Sequence, residues 1–198
     1  RSILPTPTED VIDNWRHRLG TKFFLFVGVL RYYKGLHILI EAAKEANFPI
    51  VIVGAGPVEQ ELKGQVQRMG IGNVHFLGGV PDVDKVALLK LCFAVVFPSH
   101  LRSEAFGISL LEGAMFGKPM ISSEIGTGTT YINVTDETGL VVPAGDPVAL
   151  RQAMYELWTN PDKAAEMGRR AEQRYWSLFT ADKMAQSYAN LYKELIDH

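Results

Sequence analysis

Residues 103–112, SEAFGISLLE, set Glu104 and Glu112 eight positions apart around a run of apolar and small residues. An ionised carboxylate accepts hydrogen bonds and suits hydroxyl groups, but it cannot itself hold a phosphate. A helix starting near Phe106 would leave the N–H groups of Phe106, Gly107 and Ile108 unpaired, and such an end attracts anions. Upstream, GVLRYYKG (28–35) brings Arg31 and Lys34, between Gly28 and Gly35, to the start of another helix. Two cations there oppose the helix dipole. They make sense around an anion, taken by an arginine fork and a lysine point charge. Together the stretches suit a ligand with phosphates in the middle and hydroxyl-rich groups on either side: ribose, diphosphate, hexose. A plainer reading stays open. Glu104 would then complement a helix dipole and Glu112 would be solvated, opposite a core stripe of Ile108, Leu111 and Met115; Arg31 and Lys34 would be surface bases.

Other motifs are weaker. Gly54-Ala55-Gly56 follows a strand-like run, but the third glycine of a dinucleotide fingerprint would fall at Glu59. Either a ligand approaches the backbone there or the glycines make a tight turn before a proline-started helix. Asp82 and Asp84 could offer oxygen ligands to a divalent metal. Asp82 as a helix cap and Asp84 in the first turn explain the pair equally well. The five histidines, at 17, 37, 75, 100 and 198, are scattered, so no metal site is expected; His100 stands out for lying on a loop after a strand. Asn133-Val134-Thr135 matches a glycosylation sequon with no secretory signal beside it.

The elements that must position these residues can be read from periodicity. Apolar runs at 23–28, 49–56, 73–79, 93–99, 119–124 and 139–145 alternate with amphipathic stretches at 36–46, 57–69, 82–92 and 106–116. FAVVFPS is apolar throughout, as a strand covered on both faces should be. The order predicts an α/β fold, a doubly wound, Rossmann-like parallel sheet. Three further helices are expected, at 147–159, 161–176 and 181–197, the first capped by Asp146 with Pro147 at its first position. Ligands of such sheets bind outside the carboxyl ends of the strands, where the strand order reverses, and every stretch singled out above follows a strand. The polar, proline-bearing residues 1–22 read as a linker, and 23–198 as one domain.

The 198 residues include 20 Lys and Arg against 22 Asp and Glu, a net charge of −2, which gives no general attraction to nucleic acid. The single cysteine, Cys92, lies in an apolar run and reads as core in a reducing compartment.

FVGVLRYYKG, VIVGAGP, VHFLGGV, FPSHLRSEAFGISLLEGAMFGKPMISSEIGTGT and TGLVVPAGDP occur in that order between about residues 23 and 150. Together they resemble the C-terminal, donor-binding half of retaining glycosyltransferases of the GT-B fold; GVLRYYKG with IGTGTTYIN looks most like bacterial O-antigen mannosyltransferases. The resemblance implies a nucleotide-sugar donor such as GDP-mannose, no metal, and a glycan or lipid-linked acceptor held by an N-terminal domain. The implied setting is the cytoplasm, at the inner face of the cytoplasmic membrane. It implies that Glu104 faces the transferred sugar, that Gly28, Arg31, Lys34 and the amides of Phe106, Gly107 and Ile108 hold the diphosphate, and that Glu112 takes the ribose. Gly54, Val80 and Asp82 would lie near the base. The family pattern places arginine where this chain has Val29, so Arg31 would have to serve instead. A non-catalytic sugar-nucleotide-binding module, or less readily an NAD-dependent enzyme, would use the same architecture.

Overall fold

Residues 4–196 are described by a computed structural model; His198 and the end of the last expected helix lie outside them. Six short apolar runs become strands: β1 (Phe24–Val27), β2 (Ile50–Val53), β3 (Val74–Gly78), β4 (Ala94–Phe97), β5 (Met120–Glu124) and β6 (Gly139–Pro143). All pair in parallel, in the order β3-β2-β1-β4-β5-β6. The order reverses between β1 and β4, which makes their carboxyl ends the switch point.

Side chains alternate along each strand, so each contributes to two layers. Phe24, Phe26, Ile50, Ile52 and Val96 face α2 (Leu36–Ala43), α3 (Glu59–Arg68) and α7 (Pro147–Thr159). On the other face Leu25, Val51 and Val95 meet α1 (Glu9–Leu19) and α4 (Asp82–Leu91). Helices α5 (Ile108–Met115) and α8 (Pro161–Leu178) extend that layer around Phe97 and Met120. A four-residue helix α6 (Thr129–Ile132) occupies the glycine–threonine stretch, and α9 (Ala181–Ile196) follows α8. Asp146 caps α7 as expected, accepting from the N–H groups of Val148 and Ala149 at 2.9 Å. No helix among the described residues is long and apolar enough to cross a membrane.

One expectation needs correcting. Residues 9–19, read as part of a linker, form α1 and dock against α4. Ile12 and Trp15 are buried, and the Trp15 indole N–H donates to Asp84 Oδ1 at 2.7 Å. Acids in the first turn and bases in the last complement the helix dipole. The sequon is also accounted for. Asn133 is fully buried, with its amide nitrogen donating to Ser122 Oγ at 2.9 Å and the Leu140 carbonyl at 3.0 Å. Cys92 is buried, and burial pushes its thiol up to about 12.

Candidate active site

Lys34 ends a single 3-10 turn, Tyr32–Lys34, between β1 and α2. Gly35 follows it at φ 70°, and a Cβ there would sit 1.9 Å from the Pro98 carbonyl oxygen. Glycine thus lets the turn abut the end of β4. The His100 N–H, donating to the Tyr33 carbonyl at 3.0 Å, fastens the same junction. Lys34 is thereby delivered to Glu104, with which it forms an ion pair whose side chains are 13% and 11% exposed. Buried Ser99 donates its hydroxyl to the same oxygen, Oε2, at 3.2 Å. Glu104 is held from two directions, by the loop after β4 and by the turn after β1.

Helix α5 starts at Ile108, two residues later than expected, because Gly107 takes a left-handed conformation at φ 92°. The first-turn N–H groups are therefore those of Gly107, Ile108 and Ser109 rather than Phe106, Gly107 and Ile108. The expected core stripe is corrected too. Leu110, Gly113 and Ala114 face inward, whereas Ile108 is 72% exposed. A Cβ on Gly113 would come within 2.9 Å of Val95, so the smallest residue of the helix sets its contact with β4. Glu112 faces the other way, toward α4, where Lys85 Nζ lies 2.8 Å from its Oε1 and 3.1 Å from Asp82 Oδ1. Burial pulls the Lys85 ammonium down, but the bonds to Glu112 and Asp82 outweigh it and the pKa ends above its ordinary value.

Gly28, Lys34, Glu104, Phe106, Gly107, Ile108 and Glu112 line one open cleft of about 450 Å³ at the switch point. Arg31 does not join them. It is exposed and lines a separate small hollow with Leu36, His37 and Glu61. Gly54, Val80 and Asp82 do not line the cleft either. A Cβ on Gly54 would fall 1.9 Å from the Gly28 carbonyl oxygen and one on Gly56 2.3 Å from that of Leu30, so the Gly-x-Gly permits loop-to-loop packing. Val80 packs into the α1–α4 layer. Asp82 begins α4 without a side-chain cap bond and connects to Glu112 only through Lys85. Among the described residues no three His, Cys, Asp or Glu side chains gather to hold a metal.

Lys85 and Ser99 escaped the sequence reading. The i,i+3 spacing of Asp82 and Lys85 was visible, but the contact with Glu112 spans 27 positions and exists only once the sheet has formed. His100 joins Tyr32 and His37 in a cluster of rings with centroids 5.0 Å apart beside the cleft, its Nδ1 buried without a partner. A cavity of similar size, about 430 Å³, opens at the amino ends of the strands around Cys92, Lys90 and Lys118. The cleft is preferred because ligands of parallel sheets bind at the opposite end.

A family profile described as "Glycosyl transferases group 1" matches residues 8–174. The chain is 66% identical over 177 residues to D-rhamnosyltransferase WbpZ of Pseudomonas aeruginosa, covering 89% of this chain and 46% of that protein. The chain belongs to the group 1 glycosyltransferases. Another relative in this family, O-antigen chain mannosyltransferase C of Escherichia coli, is 52% identical over 186 residues, covering 94% of this chain and 50% of the other. The chain thus spans about half the length of the curated relatives it matches. The fold matches that of Anabaena HepE (Alr3699), solved in complex with UDP, with a TM-score of 0.84 at 22% identity, over 96% of this chain and 54% of that one. The architecture is that of a GT-B glycosyltransferase domain.

Proposed function

We propose that this chain is the donor-binding domain of a retaining hexosyltransferase that transfers mannose, or a closely related sugar, from a nucleoside diphosphate to a growing O-antigen glycan. The observation that carries the reading is the arrangement of one cleft: Lys34 against Glu104 at its centre, the α5 N-terminus beside them, and Glu112 at one end. In this reading the diphosphate lies on Lys34 and the first-turn amides of α5, the ribose on Glu112, and the hexose on Glu104. The rhamnosyl and mannosyl activities named for the two relatives support a sugar of the manno configuration, since D-rhamnose is 6-deoxymannose. The acceptor would sit on the other half of the whole protein.

Retaining transfer depends on stabilising the departing diphosphate. Cleaving the anomeric bond throws charge onto it, and a fixed ammonium with oriented N–H groups meets that charge without reorganising. The acceptor hydroxyl would attack from the face that the nucleotide leaves, with a donor phosphate oxygen taking its proton. Glu104, already committed to Lys34 and Ser99, orients the sugar in this scheme and forms no covalent bond. Positive charge in the cleft comes from protein, so donor binding is expected to survive a chelator. Calorimetric titration with GDP-mannose, UDP-glucose, ADP-glucose and NAD tests the proposal. GDP-mannose should bind tightest; uptake of NAD alone, or of no nucleotide sugar, would sink it.

A further inference from the structure

Lys85 has no role in the scheme above, although it is the cation closest to Glu112. Three observations bear on what it does. Its Nζ lies 2.8 Å from Glu112 Oε1 and 3.1 Å from Asp82 Oδ1, bridging α4 to α5. The Lys85 and Glu112 side chains are each only 18% exposed, so neither is a solvated surface charge. Finally, the helix that carries Lys85 is itself anchored, because the next acid along it, Asp84, accepts the indole N–H of buried Trp15 in α1 at 2.7 Å.

We infer that Lys85 is a positioning residue for ribose recognition: its ammonium pins one carboxylate oxygen of Glu112 so that the remaining acceptor positions present a fixed geometry to the ribose diol. The inference rests on the proposed function, in which Glu112 meets the ribose. A glutamate has several staggered torsions, and an unrestrained carboxylate would sample many orientations before meeting a hydroxyl. A carboxylate has about four lone-pair sites, so one lysine contact leaves capacity for a bidentate bond to neighbouring hydroxyls. Lysine suits the task because a charge-assisted hydrogen bond to a carboxylate is shorter and stronger than a neutral one. Asp82 holds the ammonium on its other side. The clamp thus runs from α4, outside the cleft, to the α5 side chain that lines it.

A positioning role predicts a particular loss. Binding of GDP and of 2′,3′-dideoxy-GDP to the full chain would be measured by calorimetry for the unaltered protein, K85M, K85R and E112Q. The unaltered protein should prefer the ribonucleotide roughly tenfold or more, the worth of hydrogen bonds to a charged group. K85M should lose most of that preference while its affinity for the dideoxynucleotide stays nearly unchanged, and K85R should restore part of it. A general structural defect would weaken both nucleotides alike, and that result overturns the inference. If K85M melts well below the unaltered protein, K85L, which likewise has no donor, replaces it under the same criteria. The two levels of the argument fail differently. No preference in the unaltered protein, or a full preference in E112Q, removes Glu112 from the ribose and takes the inference with it. Loss of preference in E112Q with full preference in K85M leaves the site standing and overturns the role of Lys85 alone.

Discussion

Lys34 and Glu104 come from turns 70 positions apart and meet at the point where the sheet reverses. In the proposed reading, a donor phosphate would compete with, or join, an internal carboxylate for the ammonium. Replacing Lys34 by alanine in the whole enzyme should lower kcat/KM by roughly 10²–10³, the usual loss when one preorganised charge-stabilising group is removed. Steady-state kinetics checks this, and a fall of less than tenfold would assign leaving-group stabilisation elsewhere. Legibility at this scale followed chemistry. Lys34 stood out because a cation opposes the dipole at a helix start, whereas Glu104 and Glu112 stood out for bracketing an apolar turn and also had a plainer structural reading. Arg31 was grouped with Lys34 on proximity in sequence, yet the two residues line different hollows of the fold. Ser99 and Lys85 carried no such conflict, since a serine after a strand and a lysine one turn after an aspartate look ordinary alone.

The sheet and the main helices were legible from periodicity, whereas α1 was not. Its proline-bearing lead-in and polar composition masked the spacing of Ile12 and Trp15, which becomes meaningful only against α4. The start of α5 was misplaced for a related reason: Gly107 at φ 92° decides it, and backbone sign is invisible in a one-letter code. Two helix glycines make the same point energetically. Gly168 in α8 would place a Cβ 2.1 Å from the Gly117 carbonyl oxygen, so it fixes how closely α8 approaches the chain leaving α5. Gly168→Ala should destabilise by about 1–3 kcal/mol, as overpacking does. Gly64 in α3 would meet only the end of the flexible Arg68 side chain, at 3.1 Å. Gly64→Ala should stabilise by about 0.5–1 kcal/mol, through helix propensity and a less free unfolded chain. Urea denaturation of both variants checks the pair, and equal shifts in one direction would contradict it.

For the molecule as a whole, stability should depend on pH near neutrality through the ring cluster beside the cleft. Burial, reinforced for His37 by the neighbouring His100, holds the imidazole of His37 below its ordinary value, against the raising influence of Glu61 and Glu41. Burial likewise lowers His100, opposed by the Tyr33 backbone. Folded pKa values below the unfolded value of about 6.5 mean that the unfolded chain binds more protons in the window beneath it. This contribution is complete above that value and is lost as pH falls from there toward the folded values. Denaturation midpoints should drop between pH 7.5 and 5.5, and His37→Gln or His100→Gln should shrink the drop; a rise on acidification would refute it. The six-stranded order explains why this cluster, the ion pair and the α5 N-terminus share one end of the molecule: β1 and β4 both deliver their loops there. Cys92, buried at the other end with its thiol pushed up to about 12, has a practical consequence. The protein is already a quiet background for site-specific labelling. A cysteine introduced at exposed Ser103, on the rim of the cleft, would be the sole reactive thiol. A fluorophore attached there would test for arrival of the proposed nucleotide sugar without any need to remove the native sulfur.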